Sequence, residues 1–155
     1  MFLPSQPSIF LTASAVLKGE ELMKTLRLFT LNEANSLLPE IESVLGRVSE
    51  KRKKCEKLHD LFFVRELIAE ALPSDRETML LEDDALHLDT LMDEIEKDVS
   101  VLKQIGCRVR NLESGCVDFF SEHEGKPVYF CWVRGEEQIR HYHLPEDPDS
   151  RRFFS

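Results

Sequence analysis

Residues 112–143 read LESGCVDFFSEHEGKPVYFCWVRGEEQIRHYH. Apolar and polar residues alternate here with the period of a β-strand, and glycines at 115, 125 and 135 punctuate the alternation. Carried to both sides, the pattern gives strands over 108–112, 115–121, 127–133 and 138–144, with Glu124-Gly125 and Gly135-Glu136 as turns. That is an antiparallel meander of three to four strands. The same stretch holds the only Trp, both Tyr and two of the four Cys, so whatever chemistry the chain has is concentrated in it.

Upstream the period is helical. Thr30 with Glu33 three residues later forms a capping box, which starts a helix at Leu31. Pro39 lacks an amide donor and crowds the carbonyl of residue 35, so a short helix over 31–38 is expected to kink into a long one. The long helix carries an apolar stripe at Ile41, Val44, Val48, Cys55, Leu58, Phe62, Ala69 and Leu72. Pro73 ends it, and Ser74 with Glu77 caps the next, whose stripe is Leu81, Ala85, Leu88, Met92, Ile95, Val99 and Leu102. Gly106 closes that helix. So short a link folds the two helices into an antiparallel hairpin of matched lengths, with coiled-coil character. The fold class is therefore α+β: a helical hairpin over 29–106 and a sheet over 107–144 packed on it as one domain, with an irregular tail over 145–155.

Charge supports the hairpin. The chain has a net charge of −9, and residues 73–102 hold ten acidic side chains against two basic ones. The basic run KRKKCEK over 51–57 then faces Asp89, Asp93, Glu94 and Glu96 across the seam, and Arg65 faces Glu82 and Asp84. An acidic chain whose basic run is matched internally does not suit nucleic acid, which draws its affinity from clustered Lys and Arg. Nor is any apolar run long enough to span a membrane. The four cysteines form no CxxC and no zinc-ribbon spacing, and are read as free thiols of a cytoplasmic protein. Residues 1–28 lack a helical or strand pattern. Lys18-Gly19-Glu20 ahead of Met23 has the coding character of a ribosome-binding site, so the first 22 residues are expected to be translated leader or disordered.

With the turns centred as above, Asp118 pairs with Cys131, and Cys131 with Arg140. One face then carries Val117, Phe119, Val128, Phe130, Trp132 and Ile139, joined by His141 and His143. The other carries Asp118, Cys131 and Arg140 beside Phe120, Tyr129 and Tyr142. Such a face needs a cover: the tail, a partner or a ligand. His141 and His143, about 7 Å apart on one strand face, are the candidate metal ligands, for zinc or iron. Cys131 has no His in its row to act as base, which favours a structural thiol. Glu56 with His59, and Asp84 with His87, have di-metal helix spacing, but the stripe turns Glu56 and His87 outward.

FTLNEANSLLPEIESVL (29–45), LESGCVDF (112–119), VYFCW (128–132), GEEQI (135–139) and HYH (141–143) together resemble the bacterial domain-of-unknown-function family 2203. In the resemblance, Tyr142 stands where the family has a tryptophan, and Ser150-Arg151-Arg152 replaces a glycine-arginine pair. It implies a helical hairpin with a small sheet and points to no activity. It also marks Glu136, otherwise a turn residue, as a ligand anchor beside Asp118, Cys131 and Arg140.

Two functions follow as expectations. The first is a non-catalytic homodimeric interaction or scaffold protein without cofactor. Its dimer contact is the apolar surplus around Leu61, Phe63, Val64, Leu67 and Ile68 of the first long helix. The alternative is a small metal- or ligand-binding protein or enzyme that uses the sheet through Asp118, Cys131, Arg140 and His143.

Overall fold

The computed structural model describes residues 27–154. The expectation of a leader or unstructured stretch falls on residues outside these. The described chain is two helices followed by five strands: α1 Leu31–Ala71, α2 Asp75–Ile105, β1 Arg108–Asn111, β2 Cys116–His123, β3 Lys126–Val133, β4 His141–Leu144 and β5 Asp147–Phe153. It is the expected α+β hairpin and meander. Both caps form: Thr30 Oγ1 accepts the Glu33 N–H and Ser74 Oγ the Glu77 N–H, each at 3.1 Å. Gly106 ends α2 at φ 103°, with its N–H shared between the carbonyls of Leu102 and Lys103.

Three expectations are corrected. First, no separate helix ends at Pro39: α1 runs through it as 41 residues, against 31 in α2. The helices are thus about 62 and 47 Å long rather than equal. Leu38 and Ile41, flanking the proline, are buried, and that packing outweighs its cost of about 3 kcal/mol. Second, the tail is not loose. It forms β5, an edge strand whose Pro148 needs no ladder partner. Phe154 beyond it packs edge-on against Phe130 and at a tilt against Tyr142.

The third correction is a register. The strands run in the order β1-β2-β3-β4-β5, all antiparallel. Between β2 and β3, Asp118 pairs with Cys131 as expected, across a turn where Glu124 (φ 54°) and Gly125 (φ 77°) are both left-handed. Between β3 and β4, Cys131 pairs with His141, not Arg140. A slip of one residue moves every β4 side chain to the opposite face. His141 and His143 therefore leave the core face and join Asp118 and Cys131, while Tyr142 packs on the core.

The cause lies in the connection. Seven residues join β3 to β4 instead of a two-residue turn, so turn geometry does not set the pairing. Tertiary anchors do. Ile139 is buried with its N–H on Asn35 Oδ1 of α1 (2.8 Å), and Trp132 Nε1 donates to the Glu136 carbonyl (2.9 Å).

The core lies between the N-terminal part of α1 and one face of the sheet. Ala34, Leu38, Ile41, Val44, Leu45 and Val48 meet Val117, Phe119, Val128, Phe130, Trp132 and Ile139, with Leu102 of α2. Gly115 makes the β1–β2 turn fit: at φ 74°, a Cβ there would sit 2.6 Å from the Arg134 Cβ.

Beyond this head the hairpin stands alone. From Ser49 to Thr90 no residue is buried. Its seam is partly ionic, as expected. Lys51 Nζ contacts Asp98 at 2.7 Å and Glu94 at 3.9 Å, and Arg65 reaches Asp84 at 3.3 Å. The rest of the basic run fares differently: among the described residues Arg52, Lys53, Lys54 and Lys57 make no ion pair within 4 Å. No described helix is long and apolar enough to cross a membrane.

Candidate functional site

The second face of the sheet is built from all five strands. The pairing lines up Arg108, Asp118, Cys131, His141 and Phe153 in one cross-strand row. Phe120, Tyr129 and His143 form the next. Strand alternation puts Cys116, two residues before Asp118, on the same face and diagonal to Cys131. The face is closed by the edge strands of the chain itself. Arg108 of β1 lies over the Tyr129 ring at 4.2 Å, and Arg151 of β5 donates to His141 Nδ1 at 2.9 Å.

Asp118 is the centre. Its side chain is fully buried, and one oxygen, Oδ2, takes every contact: Arg108 at 2.8 Å, His143 Nε2 at 3.1 Å and Arg110 at 3.5 Å. The other oxygen, Oδ1, is buried without any hydrogen-bond partner. His143 is also fully buried, and its Nδ1 lies 3.2 Å from the Leu144 carbonyl. Tyr129 stacks on the His143 ring at 5.3 Å. The imidazole is thus held at both nitrogens and one face.

Beside Asp118 the sulfurs of Cys116 and Cys131 approach to 3.9 Å. The hydrogen bond between them lowers the half-buried Cys116 thiol to about 7, helped by Arg110 and Arg151 and opposed by burial and Asp118. The same bond, with burial, raises Cys131. Of the pair, Cys116 is the member whose thiol is shifted toward the thiolate. By contrast Cys107, raised to about 11 by burial, is an inert core thiol donating to the Leu102 carbonyl.

Of the residues singled out from sequence, Asp118, Cys131 and His143 meet here. His141 shares the face but turns to Arg151 and, at 3.5 Å, to Glu136. The two histidines thus point to different partners and converge on no common point. Arg140 does not join: it is exposed, and its carbonyl accepts the Phe154 N–H. The expected Asp118–Arg140 pair is replaced by Arg108 and Arg110. Glu136 ties the loop down, accepting the Val133 N–H at 2.8 Å and Arg151 at 3.1 Å. Glu56, His59 and His87 are exposed, and Asp84 belongs to the Arg65 ion pair.

Sequence reasoning passed over Cys116, Arg108, Arg110 and Arg151. Cys116 was within reach, since the correct β2–β3 pairing already sets it diagonal to Cys131. Arg151 carried no periodic signal, because nothing in PEDPDSRRFF alternates; the family resemblance touched it only through Ser150-Arg151-Arg152.

A search of the curated proteins finds no match to this chain, and a search of the solved structures finds none either. One family model does match, over residues 27–152, which takes in both helices and nearly all of the sheet. The chain belongs to the family described as uncharacterized conserved protein DUF2203.

Proposed function

We propose that the protein is a non-catalytic interaction module that works as a homodimer through the outer part of its hairpin. The observation that carries this reading is the arm from Ser49 to Thr90, in which no residue is buried. A helix is held in a protein mainly by burying an apolar face, and two helices alone cover only the stripe between them. Leu61, Val64, Ile68 and Leu72 follow one another at three- and four-residue spacing along one flank of α1, and each is at least 42% exposed. Phe63, at 57%, stands on another flank. Each such side chain left in water forgoes roughly 1.5–3 kcal/mol. A second copy laid alongside gives a four-helix arrangement and covers the same flank on both chains at once.

The sheet supports the non-catalytic half of the reading. Asp118, Cys131 and His143 are at most 1% exposed and locked to one another or to arginines. Four thiols without a disulfide suit a reducing, cytoplasmic setting. Sedimentation of the full chain at micromolar concentration tests the dimer. The expected result is a dimer that Val64→Glu dissociates with the sheet still folded; a monomeric wild type overturns the proposal.

A further inference from the structure

We propose that the second face of the sheet holds a single thiophilic divalent cation of the zinc class, ligated by Cys116 Sγ, Cys131 Sγ and a carboxylate oxygen of Asp118. This centre is independent of the dimer.

Three observations converge on it. The ligand atoms of these three residues all lie within 4.8 Å of one another. The two sulfurs are 3.9 Å apart, and a tetrahedral ion with Zn–S bonds of about 2.3 Å sets its sulfurs about 3.8 Å apart. The thiols are thus already at the spacing of a tetrahedron's edge.

The second observation is Asp118 itself. Its Oδ2 is used three times and its Oδ1 not at all, although the side chain is fully buried. Buried carboxylate oxygens are otherwise paired, and a carboxylate that sits beside two sulfurs with one oxygen dry and unpaired calls for a cation. An ion on the carboxylate satisfies it without displacing an existing contact. His143 Nε2, on Oδ2, then acts as a positioning residue that fixes the plane of the ligating carboxylate.

The third is charge and space. Two thiolates and a carboxylate carry three negative charges, and a divalent ion leaves one. Arg108 and Arg110 lie on the Oδ2 side and balance that remainder rather than compete for the metal. Cys131 and Asp118 are closed off, while Cys116 is only partly buried and leaves the side by which an ion enters. Two sulfurs with one oxygen select zinc over magnesium or calcium, which prefer all-oxygen sites. On binding, each thiol releases to solvent the proton it still carries, and no redox change is involved.

The test uses the full chain, reduced and stripped with a chelator, then titrated with zinc alone and with cobalt(II) alone. The proposal expects one equivalent per chain and a thiolate-to-cobalt charge-transfer band in the near ultraviolet. Cys116→Ser and Cys131→Ser should each weaken zinc at least about tenfold and diminish the band. Cys55→Ser, in the arm, should change neither. Circular dichroism of the metal-free variants establishes that they fold; Cys116, only partly buried, is the safer of the two. No saturable zinc binding at micromolar concentration overturns the proposal. So does binding that survives unchanged in folded Cys116→Ser.

Discussion

At the scale of single residues the molecule turns on Asp118, a carboxylate with no exposure to water and three cationic or imidazole groups on one oxygen. Removing one partner from a buried pair costs about 3–5 kcal/mol, against under about 1 for an exposed one. Asp118→Ala is expected near the low end of that range, about 3 kcal/mol, because Arg108 is half exposed and regains water when its partner goes. Urea unfolding of metal-free protein measures it, and a loss below about 1 kcal/mol would mean that the row is solvated after all. Asp118 and Cys131 as neighbours were legible in the sequence, because a two-residue turn with left-handed Glu124 and Gly125 fixes that register locally. Arg140 as the partner was not. It depended on a tight turn at Gly135-Glu136, where the chain instead makes a longer loop pinned by Asn35, 104 residues away. No local pattern encodes an anchor of that separation, and a one-residue error there exchanged His141 and His143 for Arg140 and Tyr142.

At the scale of elements, the helices were readable because capping and 3.6-residue periodicity are local, and the failures came where burial overrode a local rule. Pro39 signals a break, yet α1 continues because its neighbours are buried under the sheet. β5 signals nothing, being an edge strand exposed along its whole length. The seam between α1 and α2 shows a different balance. Asp98 sits there, buried, with Lys51 at 2.7 Å and Arg47 at 3.4 Å. Burial raises its pKa, but the hydrogen bonds and charges of Lys51 and Arg47 outweigh burial, and the carboxyl ends below its usual 3.8. A carboxyl depressed by folding adds stability that is complete above its unfolded pKa and lost as pH falls through the folded one. Asp98→Asn should therefore cost about 2 kcal/mol at pH 7. The gap between wild type and variant should stay constant down to about pH 5 and close below about pH 4. Thermal melts from pH 7 to pH 3 would show it. A gap that persists unchanged at pH 3 would mean that the charge of Asp98 does not carry the contact.

The whole molecule is uneven: a head with one core between α1 and the sheet, and an arm in whose outer stretch, from 49 to 90, residues are at most half-buried. In a lone chain such an arm opens more easily than the head, since local stability follows buried apolar contact. Dimerisation through the arm changes that by mass action, because anything that binds the folded state alone raises its apparent stability with concentration. Each tenfold increase in protein adds about 1.4 kcal/mol per dimer. Spread over the unfolding entropy of two chains of 155 residues, that is a rise in Tm of about 2 °C per tenfold. The expected outcome is a Tm that climbs steadily from low micromolar to hundreds of micromolar in the wild type. In Val64→Glu it should be flat, and equal to that of the wild type extrapolated to dilution. Because Val64 is already half exposed in the single chain, glutamate there removes little from the monomer, so a drop seen only at high concentration isolates the contact between copies. A Tm independent of concentration in the wild type would leave the bare flank of α1 to some other partner and end the homodimer reading.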